Sequence, residues 1–167
     1  KFPAMLYATA GIHPHEASTY NRTAAAALRE LAAHPSVVAI GETGLDFNRN
    51  FSSQKDQQKA FEAHIELAIE LQMPLFLHER DASKRQIEIL NTYRDTICDA
   101  VIHCFTGNKK TLFSYLDMDL HIGITGWVCD ERRGLELQKI IANIPLNRLM
   151  IETDAPYLTP RTMSKKP

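Results

Sequence analysis

The feature that most constrains the fold of this chain is a repeated alternation of short apolar segments with longer helical ones. The helical segments carry apolar residues every three or four positions, whereas the short segments are rich in Val, Ile and Leu. The run from Val37 to Glu42 is almost continuously apolar, which favours a strand covered on both faces. Alternation of this kind, with short connections, is typical of a parallel sheet flanked by helices. The sequence therefore predicts the α/β class.

Six strand-like segments can be recognised, and they suggest a barrel. They are Leu6–Ile12, Val37–Glu42, Leu75–His78, Ala100–His103, His121–Val128 and Leu149–Asp154. No glycine-rich G-x-G-x-x-G turn follows the first of them, which disfavours a doubly wound nucleotide-binding sheet. A complete (β/α)8 barrel normally takes about 250 residues, and this chain has 167. We therefore predict a TIM-type (β/α)8 barrel of which about six βα units are present, in a single incomplete domain over residues 1–167.

Five polar residues end these segments and are the candidate functional residues: His13, Glu42, His78, His103 and Asp154. The first four are separated by 29, 36 and 25 residues, so each gap fits one strand–helix unit, and the last gap of 51 residues fits two. The carboxyl ends of parallel barrel strands meet at one rim, so these side chains are expected to gather there. Three imidazoles and two carboxylates are a donor set for one or two divalent ions, whether Mg²⁺, Mn²⁺ or Zn²⁺.

Two of the five carry the chemistry that we expect at such a rim. Glu42 is the best placed to bridge a pair of ions. Asp154 could bind metal and accept the proton of an attacking water. Each of the five also has a structural alternative, because a histidine at a strand end often only makes hydrogen bonds and a carboxylate often caps a helix. Their common position within the repeated unit favours the metal site.

The segments that follow the strands supply candidates for substrate contact. We predict that substrate is bound by Asp46, Arg49, Arg80, Trp127 and Arg132. Arginines hold phosphates bidentately, and Trp127, Phe47 or Tyr157 could stack on a base. The alternative is that Arg132 only pairs with its acidic neighbours and that Trp127 belongs to the core.

Composition excludes some classes of function. The net charge is −1, so the composition gives no indication of a broad basic surface for nucleic-acid binding. No apolar run approaches the roughly 20 residues of a membrane helix. The three cysteines form no C-x-x-C pair, which predicts reduced thiols. Cys104 lies beside His103, but we favour an inert thiol over a nucleophile there.

At the level of motifs, six segments resemble those of TatD-type metal-dependent deoxyribonucleases. They are Ala10–His15, Ala39–Phe47, Pro74–Asp81, Ile102–Gly107, Ile122–Trp127 and Ile151–Tyr157. The resemblance extends over essentially the whole chain, with the segments in order. It implies a metal-dependent hydrolase of the TIM-barrel kind, with one or two divalent ions such as magnesium. It further implies an exonuclease that works from the 3′ ends of single-stranded DNA, is cytoplasmic, and takes part in DNA repair or turnover.

Residue by residue, the resemblance assigns roles within this sequence. Glu42, His78, His103 and Asp154 match the family's metal positions, and His13 matches its His-Pro site histidine, which makes Asp154, Glu42 and His13 the expected catalytic residues. No family role is assigned to His15. The family's first strand, which often carries a His-x-His pair, its second strand and the helix after its last strand have no counterpart in this sequence. The resemblance therefore implies an incomplete barrel.

Three functional hypotheses remain open at this point. The first is a metal-dependent phosphodiesterase whose partner is single-stranded DNA, with no membrane association. The second is a metal-dependent hydrolase of small amides or esters, since the same metal chemistry serves both. The third is a catalytically silent fragment that acts by binding a partner through its exposed sheet edges.

Overall fold

The structure, a computed structural model, describes residues 5–160 and Met163, and it divides the chain into two compact units, residues 1–101 and 102–167. In each unit, parallel strands and helices alternate along the chain, which confirms the α/β class. The prediction of a single domain stays a prediction. Within the described residues, no helix has the length and apolarity that crossing a membrane requires.

The first unit is built on three parallel strands. Its elements are β1 (Ala8–Ala10), a 3-10 helix (Pro14–Thr19), α1 (Arg22–Ala32), β2 (Val37–Asp46), α2 (Gln54–Leu71), β3 (Leu75–Arg80) and α3 (Ser83–Tyr93). β2 pairs in parallel with β1 on one side and with β3 on the other. The next strand, β4 (Ala100–Ile102), lies at the division between the two units.

The long helix α2 begins and ends where local chemistry dictates. The Ser53 side chain accepts the Asp56 N–H at 3.1 Å and donates to the Asp56 carboxylate at 2.7 Å, which caps the helix. Gln72 closes the helix in the left-handed conformation with φ of +52°. α2 packs against β2, and its Phe61 and Ile65 side chains are completely buried. The predicted apolar stripe therefore faces the sheet.

The start of α3 carries no side-chain cap from Asp81, although aspartate is a favoured N-cap residue. The N-cap position is Ala82, and the Ala82 N–H donates to Glu79 Oε1 at 2.8 Å. Asp81 precedes the cap by one residue and instead accepts the Asn48 side-chain amide at 2.7 Å. The carboxylate of Asp81 thus ties the segment after β2 to the end of β3.

The second unit contains two paired parallel strands and two helices. Its elements are α4 (Lys109–Asp117), β5 (His121–Ile124), a 3-10 helix (Gly126–Cys129), α5 (Leu135–Ile140), two further 3-10 helices (Ile141–Asn143 and Leu146–Arg148) and β6 (Leu149–Ile151). β5 pairs with β6 in the register Ile122 to Leu149. Leu112, Tyr115 and Leu120 are completely buried and form part of its core.

The segment after β5 corrects two predictions. The strand predicted to reach Val128 ends at Ile124, because the Thr125 side chain accepts the Trp127 N–H at 3.3 Å and starts a 3-10 helix. Trp127 therefore lies in a helical turn and not in a strand.

Asp130 closes the turn before α5 and does not cap that helix. It accepts the N–H groups of Arg132 and Arg133, both at 3.0 Å, while the N-cap position of α5 is Gly134. The Asp130 carboxylate lies four residues before the N-cap Gly134, so it accepts N–H groups within the turn and none in α5.

Candidate functional site

The first candidate ligand, Glu42, owes its position to an irregularity in β2. The strand does not end at Glu42, as predicted, but continues to Asp46. Gly41 pairs with Phe76 and Thr43 with Leu77, so Glu42 is the extra residue of a bulge. Gly41 has a φ of +151°, which side chains rarely adopt, and a Cβ there would lie 2.8 Å from the Phe76 Cβ. Bulges of this kind redirect a side chain out of the regular ladder.

The redirected carboxylate meets two imidazoles in the first unit. His78 Nδ1 lies 3.0 Å from Glu42 Oε1, and His13 Nε2 lies 3.6 Å from the same oxygen. The two rings approach with His13 Nε2 at 3.3 Å from His78 Nδ1. One ligand atom from each of the three residues lies within 4.8 Å of the others, and all three side chains are partly exposed. The structure therefore brings together three of the five predicted residues.

His13 is held as a neutral ring with one defined tautomer. The His15 N–H donates to His13 Nδ1 at 3.2 Å, so the ring proton is on Nε2, which faces Glu42 and His78. Burial, followed by the neighbouring His78, lowers the pKa of His13 from 6.5 to about 4. With its proton directed into the cluster, His13 is arranged as a hydrogen-bond donor more than as a ligand. This arrangement suits its predicted role as a catalytic residue.

Asp46 organises the histidines from the end of β2. Its Oδ1 accepts the N–H groups of Asn48 and Arg49 at 3.0 and 2.8 Å, and its Oδ2 lies 2.7 Å from His15 Nε2. Burial alone would raise the pKa of Asp46, but the Arg49 N–H and the His15 imidazole together hold it below its usual value. Asp46 is therefore ionised, and both of its carboxylate oxygens already make hydrogen bonds within the protein. Its predicted contact with substrate stays a prediction.

His78 shows that the first cluster fits a cation. Its Nδ1 lies 3.0 Å from Glu42 Oε1 and its Nε2 lies 3.4 Å from Asp46 Oδ2. The Nε2 atom is buried and makes no hydrogen bond to any described residue. The imidazole nitrogens of His78 and His13 and the Glu42 carboxylate oxygen are donors of the kinds that divalent ions accept, and they lie close enough together to hold one. The residues present therefore fit a metal.

The second unit repeats this pattern around His103. His103 Nδ1 lies 3.0 Å from Glu152 Oε2, and its Nε2 lies 3.7 Å from Asp154 Oδ1. His103 is buried, whereas 40% of the Asp154 side chain is exposed. A ligating histidine commonly donates its second N–H to a carboxylate. Glu152 suits that role, and metal binding by His103 and Asp154 stays a prediction.

Glu152 is a site residue that the sequence interpretation missed. Besides His103, it accepts the Cys104 N–H at 2.5 Å, and Cys104 has a φ of +48° that directs its N–H there. A Cβ on Gly123 would overlap the Glu152 carboxylate, so that glycine leaves room for it. Glu152 and Asp154 are two residues apart, and this spacing on an extended segment is the signal that could have revealed the pair.

The remaining predicted residues, Arg49, Arg80, Trp127 and Arg132, differ in their exposure and in their contacts. Arg49 is exposed, and Arg80 is half-buried with its carbonyl accepting the Phe47 N–H at 2.9 Å. The Arg133 guanidinium covers one face of Trp127 at 4.4 Å from the ring centroid. Arg132 is exposed beyond its backbone contact with Asp130. Substrate binding by these residues stays a prediction.

His13, Glu42 and His78 thus meet in the first unit, and His103 and Asp154 meet in the second. Each group by itself contains the nitrogen and oxygen donors of a divalent-metal site. A single site made of all five residues stays a prediction from the sequence.

Comparison with known proteins gives the chain a family. A model of the family described as TatD related DNase matches residues 1–167. The chain is 56% identical over 165 residues to the 3′-5′ ssDNA/RNA exonuclease TatD of Rahnella sp. (strain Y9602), covering 99% of this chain and 63% of that protein. It is 51% identical over 161 residues to the protein of the same name from Salmonella typhimurium (strain LT2), covering 96% and 62%. The chain therefore spans less than two thirds of the length of these relatives.

Solved structures agree with this assignment. A TatD homologue from Escherichia coli K12 is similar with a TM-score of 0.86 at 26% identity, covering 97% of this chain and 62% of that one. A TatD family hydrolase from Entamoeba histolytica is similar with a TM-score of 0.80 at 31% identity, covering 92% and 52%. The likeness confirms the predicted fold class, an α/β fold of the TIM-barrel kind. With a matching family model over its whole length, the chain belongs to the TatD related DNase family.

Proposed function

We propose that this chain is the metal-binding part of a nuclease that hydrolyses single-stranded DNA from its 3′ end. The observation that carries the proposal is His78, whose two nitrogens face Glu42 and Asp46 at 3.0 and 3.4 Å. The relatives' name, 3′-5′ ssDNA/RNA exonuclease, supports the substrate class and adds RNA as a second substrate to be tested. The chain covers only part of those relatives, so the activity itself belongs to the proposal.

The metal ligands that we propose are Glu42 and His78 in the first unit and His103 and Asp154 in the second. Asp46 would hold His78 from its far side, and Glu152 would hold His103 in the same manner. A bound divalent ion would lower the pKa of a water molecule and offset negative charge on a phosphate. The donor set of imidazole and carboxylate suits one or two ions, and we propose Mg²⁺ or Mn²⁺.

The two side chains to which we assign the movement of protons are Asp154 and His13. Asp154 is the more exposed partner of His103, so it can accept the proton of the attacking water from the solvent side. His13 carries its proton on Nε2, facing the cluster, and can donate it to a phosphate oxygen there. Glu42 keeps its carboxylate between the two imidazoles and orients both.

Further assignments rest on the sequence pattern and, for cellular location and role, on the family resemblance. We propose that Arg49, Arg80 and Arg132 bind phosphates, that Asp46 and Trp127 border the bound strand, and that the enzyme acts in the cytoplasm in DNA repair. Labelled oligonucleotides cross-linked to the protein would identify the contacting residues. The same proposal predicts that cells lacking the gene are more sensitive to DNA damage.

The central experiment is a metal-dependence assay on single-stranded DNA. We expect the full chain to shorten a 5′-labelled strand from its 3′ end, EDTA to abolish this, and Mg²⁺ or Mn²⁺ to restore it. Activity that ignores chelation would refute the proposal, and faster turnover of small esters than of DNA would favour the hydrolase alternative. An oligomer that binds no metal would instead support a silent binding fragment.

A matched pair of variants tests the role of the bulged carboxylate. Glu42→Gln should lower the rate at least about 100-fold with an unchanged circular dichroism spectrum, because the amide cannot provide an anionic ligand. Glu30→Gln, an exposed position on α1, is the control and should retain full activity. If the rate survives in Glu42→Gln, the metal role of Glu42 is wrong.

A further inference from the structure

The segment between β2 and α2 presents a phenylalanine beside the histidine cluster. Phe51 is 68% exposed, and its ring centroid lies 4.8 Å from that of His15 at an interplanar angle of 85°. A single exposed phenylalanine is ordinary on a protein surface. Two features of Phe51 distinguish it, namely the rigidity of its backbone and its place next to the candidate metal site.

The backbone before Phe51 is fixed by Asp46 and by its own turn. Asp46 Oδ1 accepts the N–H groups of Asn48 and Arg49 at 3.0 and 2.8 Å. Asn50 donates its side-chain N–H to the Phe47 carbonyl at 2.6 Å. The segment that leads to the ring is therefore a hydrogen-bonded turn that starts from a site residue.

The backbone after Phe51 is fixed by Ser52, which is buried. The Ser52 hydroxyl donates to the His15 carbonyl at 2.8 Å and accepts the Ser18 N–H at 3.1 Å. The hydrogen bonds on both sides of Phe51 leave its ring exposed to solvent but restrict the positions that the ring can take. An aromatic ring presented in this way loses little conformational entropy when something stacks on it.

The position of the ring relative to the cluster is set by His15. Its Nε2 contacts Asp46 at 2.7 Å, and its ring meets that of His13 with centroids 4.2 Å apart. The His15 ring is therefore in contact with the rings of both Phe51 and His13. A strand whose phosphate lies at the cluster would carry its nearest bases past this ring.

We propose that Phe51 is a stacking platform for a base at the 3′ end of the bound single strand, an inference that rests on the proposed nuclease function. Aromatic rings stack on all four bases because each base has a π-face, so the contact tolerates any sequence. Phe51 thus supplies affinity for a nucleobase and not for a particular base. A substrate that lacks the base gains nothing from it.

The test compares strands that differ only at their 3′ end. With Mn²⁺ present, the full chain should have a KM for a base-bearing strand about 5-fold to about 150-fold below that for a strand with abasic 3′-terminal residues, the range of aromatic–base stacking. Phe51→Ala should lose this difference with kcat on the abasic strand unchanged. Phe51→Trp should keep it, whereas Phe51→Leu, which keeps the bulk without a π-face, should lose it.

A binding readout separates stacking from turnover. A strand carrying 2-aminopurine at its 3′ end, blocked to hydrolysis by a phosphorothioate, should lose fluorescence on binding to the unaltered chain and to Phe51→Trp, but not to Phe51→Ala. Phe113→Ala is the matched control, because Phe113 is also partly exposed, lies on α4 and contacts Lys109. It should behave as the unaltered chain does.

The outcomes distinguish this inference from the function on which it rests. If the unaltered chain cleaves the base-bearing strand but Phe51→Ala retains the same preference for it, the platform is wrong and the nuclease stands. A loss of fluorescence that persists in Phe51→Ala overturns the platform as well. If the unaltered chain neither cleaves nor binds single-stranded DNA in Mn²⁺, the nuclease function itself fails.

Discussion

His64 offers a quantitative test of how the first cluster is supported. It lies on α2, is completely buried, and accepts the Ile12 N–H at Nε2 at 3.0 Å. Its Nδ1–H donates to the Ala60 carbonyl at 2.6 Å. The ring is therefore neutral, with its proton on Nδ1, and it fixes the backbone immediately before His13.

We predict that His64→Leu lowers the free energy of unfolding by about 1–3 kcal/mol near neutral pH, because the Ile12 N–H loses its acceptor. The size of the effect depends on pH. Burial lowers the pKa of His64 below the 6.5 of a free histidine. Above that pH the ring is neutral in the folded and the unfolded chain, so its whole contribution is present.

As the pH falls below 6.5, His64 takes up a proton in the unfolded chain but not in the folded one. The free energy of unfolding of the unaltered protein therefore falls by up to about 1.4 kcal/mol per pH unit, until the ring also titrates in the folded chain. His64→Leu lacks this loss, so the stability difference between the two proteins should shrink toward acid pH. The pKa of His13 is lowered as well, but its contribution is common to both proteins and cancels in the difference.

The assay is urea unfolding followed by circular dichroism at about pH 7.5 and about pH 5.5. The exposed His34 serves as the control, and His34→Leu should change stability by less than about 0.5 kcal/mol at either pH. A His64→Leu protein as stable as the unaltered one, or a difference that does not vary with pH, would refute the assignment of a neutral, hydrogen-bonded His64.

Three further predictions concern the clusters themselves. Gly123→Ala should destabilise the fold by about 1–3 kcal/mol and slow hydrolysis of DNA, because the added methyl group displaces the Glu152 carboxylate; an unchanged melting temperature would contradict this. Asp46→Asn should weaken Mn²⁺ binding about 10- to 100-fold by releasing His78, as measured by titration calorimetry; an unaltered Kd would show that Asp46 has no such role. Mn²⁺ at about 100 times its Kd should raise the free energy of unfolding by about 2.7 kcal/mol, and EDTA should reverse the gain; no shift in urea midpoint would argue against a metal site in the folded state.

Most of the strand starts could be predicted, because apolar runs mark buried strands, although β1 begins at Ala8 and not at the predicted Leu6. β2 and β3 begin at Val37 and Leu75, where the sequence placed them. The end of β2 could not be predicted, because its glycines suggest a loop. Gly44 has a φ of +139°, and a Cβ there would overlap the His78 carbonyl, so the two strands approach too closely for any other residue.

The carboxylates that support the histidines were harder to predict. Glu152 contacts His103 and also accepts the N–H of Cys104, whose backbone is left-handed, and no pattern in the sequence predicts that turn. Trp127 was misplaced for a similar reason, since an apolar run continues through a helical turn as readily as through a strand. An apolar pattern predicts which residues lie at the ends of buried strands. It does not predict contacts between side chains on loops, because those depend on tertiary structure.

The extra residue in β2 has a consequence for how this gene can change. Because side chains alternate along a strand, the residues on either side of Glu42 are out of step by one position. Loss of the Glu42 codon would make Gly41 and Thr43 consecutive residues on opposite faces, so they would keep their partners Phe76 and Leu77 and Leu45 would stay in the interior. A deletion at this one position would therefore remove the redirected carboxylate and leave the pairing of β2 with β3 intact.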